Sequence, residues 1–122
     1  MLNTFSIKDP KLFERIIKSG NWFGGNFLSI YILKSNNTFN QIGLGIGKKV
    51  GKAYKRNYVK RLIREAYTKL EGNIKYGYNI VFVWKTKALV ENVSLDGISR
   101  DLSRAFKKAE LIKNEENSNR VN

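Results

Sequence analysis

Hydrophobic and polar positions along this chain follow helical spacing in three segments and strand spacing in three others. The predicted helices cover residues 10–19, 52–70 and 95–109, and the predicted strands cover 27–34, 39–47 and 78–84. The element order is therefore α-β-β-α-β-α. A small sheet covered by helices, an α+β sandwich, is the architecture that buries these apolar faces. The strands on either side of the middle helix are expected to pair in parallel.

Several boundaries have local signals. Asp9 and Pro10 predict the start of the first helix, because Asp caps helical amides and Pro suits the first helical position. Gly20 is expected to end that helix as its C′ residue. Ser94 is the predicted N-cap of the last helix. Residues 21–26, between the first helix and the first strand, are predicted to form a loop.

The second predicted strand carries glycine at every other position. Gly43, Gly45 and Gly47 share one face, while the intervening residues on the other face are apolar. Glycine weakens a strand, so this alternation indicates that something approaches the glycine face closely. A packed helix and a bound ligand are both consistent with it.

The middle helix combines a buried stripe with a basic face. Apolar residues recur along one side at i, i+3, i+4, i+7 and i+11, namely Val59, Leu62, Ile63, Ala66 and Leu70. At about 100° per residue, a contiguous arc beside that stripe is filled by Arg56, Lys60, Arg64, Asn57 and Arg61. Positive charge near a helix N-terminus is disfavoured by the helix dipole, whereas the free amides there suit phosphate. A solvated lysine-rich face is the simpler alternative, but a polyanion partner accounts for the unfavourable charge.

Composition narrows the class of partner. The chain has 122 residues, 23 Lys and Arg against 10 Asp and Glu, and a formal net charge of +13. Such a surplus in a small domain indicates nucleic acid or an anionic membrane. No apolar run reaches the length of a membrane span, and the helices lack the aromatic–lysine pattern of interfacial binders. We therefore predict one nucleic-acid-binding domain over residues 1–113, followed by a polar, disordered tail over 114–122.

Catalysis by protein side chains and nucleotide binding both lack the required residues. The sequence has no histidine and no cysteine, and the absence of cysteine fits a reducing cytoplasm. Ile46 and Ala53 stand where a phosphate-binding loop needs Gly and Ser or Thr. Two of the scattered acids, Glu65 and Glu71, are attributed to pairing on the helix surface, and Asp101 to the dipole of the last helix. No metal ligand set and no catalytic residue can be named.

Aromatic residues provide a second candidate feature. Unpaired bases stack on aromatic rings in proteins that bind single-stranded RNA. Packing in the core is the alternative for each ring. The candidates are Phe13, Trp22, Phe23, Tyr31, Phe39 and Trp84.

The segment from Gly45 to Tyr67, GIGKKVGKAYKRNYVKRLIREAY, resembles the signature of the bacterial ribonuclease P protein family. The signature is a Lys-Lys pair, a Gly-x-Ala step and a basic helical motif that starts with Arg-Asn. It is matched by Lys48, Lys49, Gly51, Ala53, Arg56, Asn57, Lys60, Arg61, Arg64 and Glu65. The chain departs from it at Tyr58, where relatives usually carry a third basic residue, and at Gly45 and Gly47, where small hydroxyl residues are frequent.

This resemblance implies a fold like domain 2 of ribosomal protein S5, an α/β sandwich with a left-handed βαβ crossover. It implies that a catalytic RNA subunit, with magnesium held mainly by that RNA, removes the 5′ leader of precursor tRNA in the cytoplasm. The residues implied to bind the RNA subunit are Lys48, Lys49, Lys52, Arg56, Asn57, Lys60, Arg61 and Arg64. A cleft holding the leader would include Phe13, Ile17 and Tyr31, with Ile17 replacing a residue that is often aromatic. No membrane and no small-molecule substrate is implied.

The residues alone leave a second interpretation open. A ribosomal protein or RNA chaperone without a part in any nuclease would share the same basic helix and aromatic residues. The protein subunit of a ribonucleoprotein enzyme is the first hypothesis, and activity is what separates the two.

Overall fold

A computed structural model describes residues 1–113, which form one five-stranded sheet and three α-helices. The strands are β1 (Thr4–Ser6), β2 (Asn21–Gly24), β3 (Leu28–Lys34), β4 (Asn40–Gly45) and β5 (Tyr78–Trp84). The helices are α1 (Pro10–Ser19), α2 (Ala53–Glu71) and α3 (Leu95–Lys108), and short 3-10 turns cover Lys48–Val50 and Val90–Asn92. The predicted disordered tail, residues 114–122, lies outside the described residues.

All six predicted elements are present, but the predicted order is incomplete because two edge strands were missed. β1 pairs in parallel with β4, and β2 pairs antiparallel with β3. The prediction of a loop over residues 21–26 is wrong for its first four residues, which form β2. Both strands are short, at three and four residues, and most of their side chains are exposed, so neither produces an apolar alternation.

The sheet has the order β1-β4-β5-β3-β2. β4 and β5 are parallel, as predicted, and α2 connects them, whereas β3 and β5 are antiparallel. The α+β sandwich is therefore confirmed. The left-handedness of the connection through α2 stays a prediction.

The main core lies between one sheet face and the pair α2 and α3. Four of the five apolar stripe residues predicted for α2 are buried, and Leu70 is half-buried. α3 contributes Ile98, Leu102, Ala105 and Phe106, all buried. The sheet contributes Leu28, Ile30, Ile32, Ile42, Ile80, Phe82 and Trp84. This packing holds the basic side of α2 outward.

α1 lies on the opposite sheet face. Its Ile16 is fully buried, as is Val81 of β5, whose side chain points to this face. Asp9 caps the helix as predicted, with its side chain accepting a hydrogen bond from the Lys11 amide at 3.0 Å. Gly20 follows the last helical residue, Ser19, as expected, and its backbone is extended at φ −74°. Glycine is needed there for space, since a Cβ would lie 2.5 Å from the Ile16 carbonyl oxygen.

Two acids that the sequence placed on helix surfaces are buried. Glu71 accepts hydrogen bonds from the amides of Leu2 and Asn3 and from the Thr4 hydroxyl, at 2.6 to 2.8 Å. The carboxylate therefore fastens the β1 segment to the end of α2.

Asp101 plays the corresponding part at the other edge of the sheet. Its carboxylate accepts the backbone amides of Asn26, Phe27 and Leu28 at 2.8 to 3.0 Å. A Cβ on Gly25 would lie only 2.3 Å from Asp101 Cγ, so the turn between β2 and β3 is wrapped closely around this carboxylate.

Among residues 1–113, every helix is too short or too polar to cross a membrane.

Candidate nucleic-acid interface

The N-terminus of α2 is basic and lacks a capping side chain. Lys52 occupies the N-cap position without making a side-chain cap hydrogen bond, and no acid lies in the first turn. Lys48, Lys49 and Lys52 are exposed in the segment before the helix. The first-turn amides and these ammonium groups together favour an anion.

Arg56 has a structural contact as well as a place on the basic face. It is half-buried, and its Nη1 donates a hydrogen bond to the Gly51 carbonyl at 2.8 Å. Gly51 has a φ of +135°, a conformation that favours glycine. Arg56 thereby fixes the turn that leads into α2, and its other guanidinium donors are available to a phosphate.

The outer part of the basic face is bordered by two tyrosines. Asn57, Arg61 and Arg64 are exposed, and the Arg61 guanidinium lies 5.4 Å from the centre of the Tyr58 ring. Tyr58 is 37% exposed and Tyr54 is 67% exposed. The position that departs from the family signature therefore contributes an aromatic surface in contact with an arginine.

Lys60 and Arg64 connect the basic face to the sheet. They line a pocket of about 150 Å³ together with Ser6, Ile7, Ile42, Gly43 and Leu44. A second groove of about 370 Å³ shares three of those residues, Ile7, Gly43 and Leu44, and is lined on its other side by Phe13 and the start of α1. The two predicted sites, the basic helix and the cleft beside α1, therefore adjoin each other at β4.

The Phe13 ring explains two of the three alternating glycines. A Cβ on Gly43 would lie 2.9 Å from the ring, and one on Gly45 would lie 3.2 Å from it. The element that approaches the glycine face is therefore a packed helix, which was one of the two interpretations of the pattern. Gly47 has nothing within 4 Å of its Cβ position, so its place in the pattern has no packing reason.

The other two predicted cleft residues do not line the Phe13 groove. Ile17 is half-buried one turn along α1 from Phe13. Tyr31 is half-buried on the sheet face that α1 packs against, directly opposite Val81 of β5, which is itself opposite Gly43 of β4. Gly43, which the Phe13 ring covers, and Tyr31 therefore lie about two strand spacings apart, or about 10 Å.

A further groove lies where β4 and β5 end. It has a volume of about 410 Å³ and is lined by Gly45, Gly47, Lys48, Lys49, Val50, Val83, Trp84 and Thr86. The loop lysines therefore border an apolar depression that lies past the last residues of both strands.

The aromatic candidates divide between core and surface. Trp84 is buried, and its indole N–H donates a hydrogen bond to the Ala88 carbonyl at 3.3 Å. The prediction that Trp84 could stack on RNA bases is therefore wrong. Phe23 packs against the core, and Phe39 contacts Phe5 edge-on with ring centres 5.2 Å apart. Trp22 is the aromatic candidate with the clearest exposure, at 58%.

The two buried carboxylates of the described chain, Glu71 and Asp101, serve its structure. Within residues 1–113, no group of three or more His, Cys, Asp or Glu side chains is close enough to hold a metal ion. Burial alone would raise the pKa of Glu71, but the hydrogen bonds from Thr4, Asn3 and Leu2 outweigh it and hold that pKa below its ordinary value. Burial raises the pKa of the Tyr67 phenol, which hydrogen-bonds to Thr4 and Asn40 beside the same carboxylate.

Comparison with known proteins points to a single family. The family model described as Ribonuclease P matches residues 1–110. The ribonuclease P protein component of Clostridioides difficile (strain 630) is 37% identical over 105 residues, covering 85% of this chain and 87% of that protein. The ribonuclease P protein component of Oceanobacillus iheyensis is 34% identical over 118 residues, covering 96% of each chain.

Solved structures have the same fold. The ribonuclease P protein of Thermotoga maritima has a TM-score of 0.75 at 25% identity, covering 84% of this chain and 96% of that one. The ribonuclease P protein of Staphylococcus aureus has a TM-score of 0.76 at 24% identity, covering 88% and 97%.

Proposed function

This chain belongs to the ribonuclease P protein family, and we propose that it binds the catalytic RNA subunit and the 5′ leader of precursor tRNA. It is a ribonuclease P protein component, and so one part of a ribonucleoprotein enzyme. In this proposal the RNA subunit cleaves the leader, and the protein assists by binding and positioning.

The observation that carries the proposal is the junction at β4. Lys60 and Arg64 of α2 line a pocket that adjoins the Phe13 groove, because Ile7, Gly43 and Leu44 line both. A basic surface for a folded RNA and an aromatic groove for a single strand therefore meet at β4. This arrangement suits a protein that holds two RNA molecules next to each other.

Electrostatics gives the protein its part in the reaction. Two polyanions repel each other, and a chain of formal charge +13 reduces that repulsion where they meet. Following the family resemblance, we propose that the Mg²⁺ of the reaction is held mainly by the RNA subunit. We expect the complex to act in the cytoplasm.

The test combines this chain with a ribonuclease P RNA and a precursor tRNA at low magnesium concentration. We expect the protein to increase 5′ cleavage above the rate of the RNA alone. An RNA-binding module with no part in a nuclease would bind the RNA but leave the cleavage rate unchanged, and that result would refute the proposal.

The proposed binding of the leader in the Phe13 groove has its own test. Phe13→Ala is expected to weaken binding of the holoenzyme to precursor tRNA more than to mature tRNA, because only the precursor carries a leader to stack on the ring. Equal weakening of both complexes would indicate damage to the packing against Gly43 instead.

A further inference from the structure

Trp22 is held on the surface with one part of its indole supported by the backbone. Its six-membered ring passes so close over Gly24 that a Cβ there would lie 2.7 Å from Cη2 and Cζ2. The side chain is nevertheless 58% exposed. A ring that rests on a glycine and remains more than half exposed is better suited to stacking than to a place in the core.

A cation lies over this ring. Lys85 Nζ is 6.0 Å from the centre of the Trp22 ring and 3.3 Å from the Cβ position of Gly24. Lys85 follows the end of β5, and its amide is fixed by a hydrogen bond to the Phe27 carbonyl at 2.9 Å. A stacking surface and an ammonium group a few ångströms apart match the two parts of a nucleotide, its base and its phosphate.

Trp22 also continues the row of residues that leads from the Phe13 groove. Gly43, Val81, Tyr31 and Trp22 lie directly opposite one another on β4, β5, β3 and β2, with their side-chain directions on the same sheet face. Three strand spacings separate the first residue from the last, or about 14 Å. Phe13 covers the first position of this row, Tyr31 is the third and Trp22 is the fourth.

We propose that Trp22 and Lys85 form a binding site for one unpaired nucleotide, at which the precursor leader continues beyond Tyr31 to the edge of the sheet. The site rests on the proposed function, because it takes a nucleotide of the same leader. It adds to that function by predicting how long a leader must be before the protein contacts all of it.

A second copy of this chain is the other partner that an edge strand could attract. The charges around β2 oppose it. The groove on the outer side of β2, about 300 Å³ in volume, is lined by Arg104 and Lys108 as well as by Trp22. Pairing two such edges would bring like charges together, whereas an RNA strand neutralises them.

The test uses the holoenzyme and precursors whose leaders are shortened one nucleotide at a time. For wild type, we expect affinity to rise with leader length until the Trp22 site is filled. Trp22→Ala should raise the Kd for the longest leaders about tenfold and leave short leaders and mature tRNA unchanged, so that affinity stops rising at a shorter leader. Trp22→Phe should retain most of the affinity, because a phenyl ring also stacks. Lys85→Met should lower the salt slope for long leaders by about one unit.

Phe5→Ala is the matched control. Phe5 is 54% exposed on β1, the opposite edge of the sheet, so this variant removes an exposed aromatic ring without touching the site. It should leave the leader-length profile of wild type unchanged.

Several outcomes would overturn the proposal. One is a Trp22→Ala profile identical to that of wild type, and another is an equal weakening of all substrates, mature tRNA included. A third is a sedimentation result in which the variant only disrupts self-association, which would assign the edge to a second copy. In each case wild-type protein still binds leaders, so the proposed function survives. If wild type itself shows no leader dependence and no stimulation of cleavage, the proposed function fails, and this site fails with it.

Discussion

Replacing Glu71 by Gln removes one charge from the contact that holds β1 in the sheet. The Glu71 carboxylate accepts the Leu2 amide on one oxygen, and the Asn3 amide and Thr4 hydroxyl on the other. A glutamine of nearly the same shape has a single acceptor oxygen, and its NH₂ group would face a donor. At least one of the three donors therefore loses its partner in Glu71→Gln.

The cost follows from the number and burial of those donors. A hydrogen bond to a charged group contributes about 1.5–3 kcal/mol, and a buried donor left unpaired costs about 1–3 kcal/mol. Thr4 is buried, whereas Leu2 is exposed and Asn3 is half-buried, so water can replace part of what the two amides lose. We therefore expect Glu71→Gln to lower the free energy of unfolding by about 2–3 kcal/mol.

Urea denaturation followed by circular dichroism measures this loss, and its pH dependence identifies the charge. The folded-state pKa of Glu71 lies below its ordinary value of 4.5, so the carboxylate stabilises the fold above that pH. This contribution is lost as the pH falls from about 4.5 through the folded-state pKa. The difference in unfolding free energy between wild type and Glu71→Gln should therefore be constant near neutral pH and shrink in acid.

Glu65→Gln is the control, because Glu65 is an exposed acid on the same helix. Its stability should stay within about 0.5 kcal/mol of wild type. Hydrogen exchange adds a local measurement, since the amides of β1 should lose protection in Glu71→Gln before the rest of the sheet does. An unchanged unfolding free energy together with unchanged protection of β1 would refute the reasoning.

Three further predictions test other contacts. Arg61→Ala should lower the slope of log K against log salt for binding of the RNA subunit by about one unit, as measured by filter binding. An unchanged slope would mean that Arg61 is a solvated surface residue without a phosphate contact. Gly43→Ala should lower the unfolding free energy by about 1–3 kcal/mol, because its Cβ would lie 2.9 Å from the Phe13 ring, while Gly47→Ala, with open space, should melt like wild type. Asp101→Asn should cost about 1–3 kcal/mol in urea denaturation, since one of three backbone amides loses its acceptor.

Long, regular segments of this fold could be predicted from the sequence. α2 repeats its apolar spacing over several turns, and β5 is a near-continuous apolar run, so each pattern has many residues to support it. β1 and β2 could not be found this way. Their residues are held by pairing with β4 and β3, while distant acids hold Thr4 of β1 and the turn after β2. Neither strand has an apolar pattern of its own.

The two buried carboxylates show why local sequence patterns do not reveal such long-range contacts. The partners of Glu71 lie 67 to 69 residues away, and those of Asp101 lie 73 to 75 residues away. All but one of these donors are backbone amides, which every residue except proline possesses, so no residue type marks the partner. A lone acid on a helix is therefore assigned to the surface until the structure shows its contacts.

The candidate site, like the fold, could be predicted only in part from the sequence. The spacing of the residues on α2 predicted its basic face, and the family signature supplied the implied roles. The junction of Lys60 and Arg64 with Phe13 depends on β4 passing between α1 and α2, which spacing within one helix cannot show. Trp22 was one of six aromatic candidates, and the Gly24 and Lys85 contacts are what distinguish it.

The buried acids also connect the main core with the proposed RNA-binding surface. Glu71 belongs to α2 and fastens β1, and the chain after β1 passes through Ile7 into the Phe13 groove. Asp101 belongs to α3 and fastens the turn after β2, the strand that carries Trp22. Each edge of the sheet is thus held by a carboxylate from a helix on the face opposite α1. Because binding is tighter when the contacting groups are already fixed, we expect these two acids to support the proposed RNA binding without touching RNA. Their charges, enclosed by backbone amides, also leave the outer face of α2 basic.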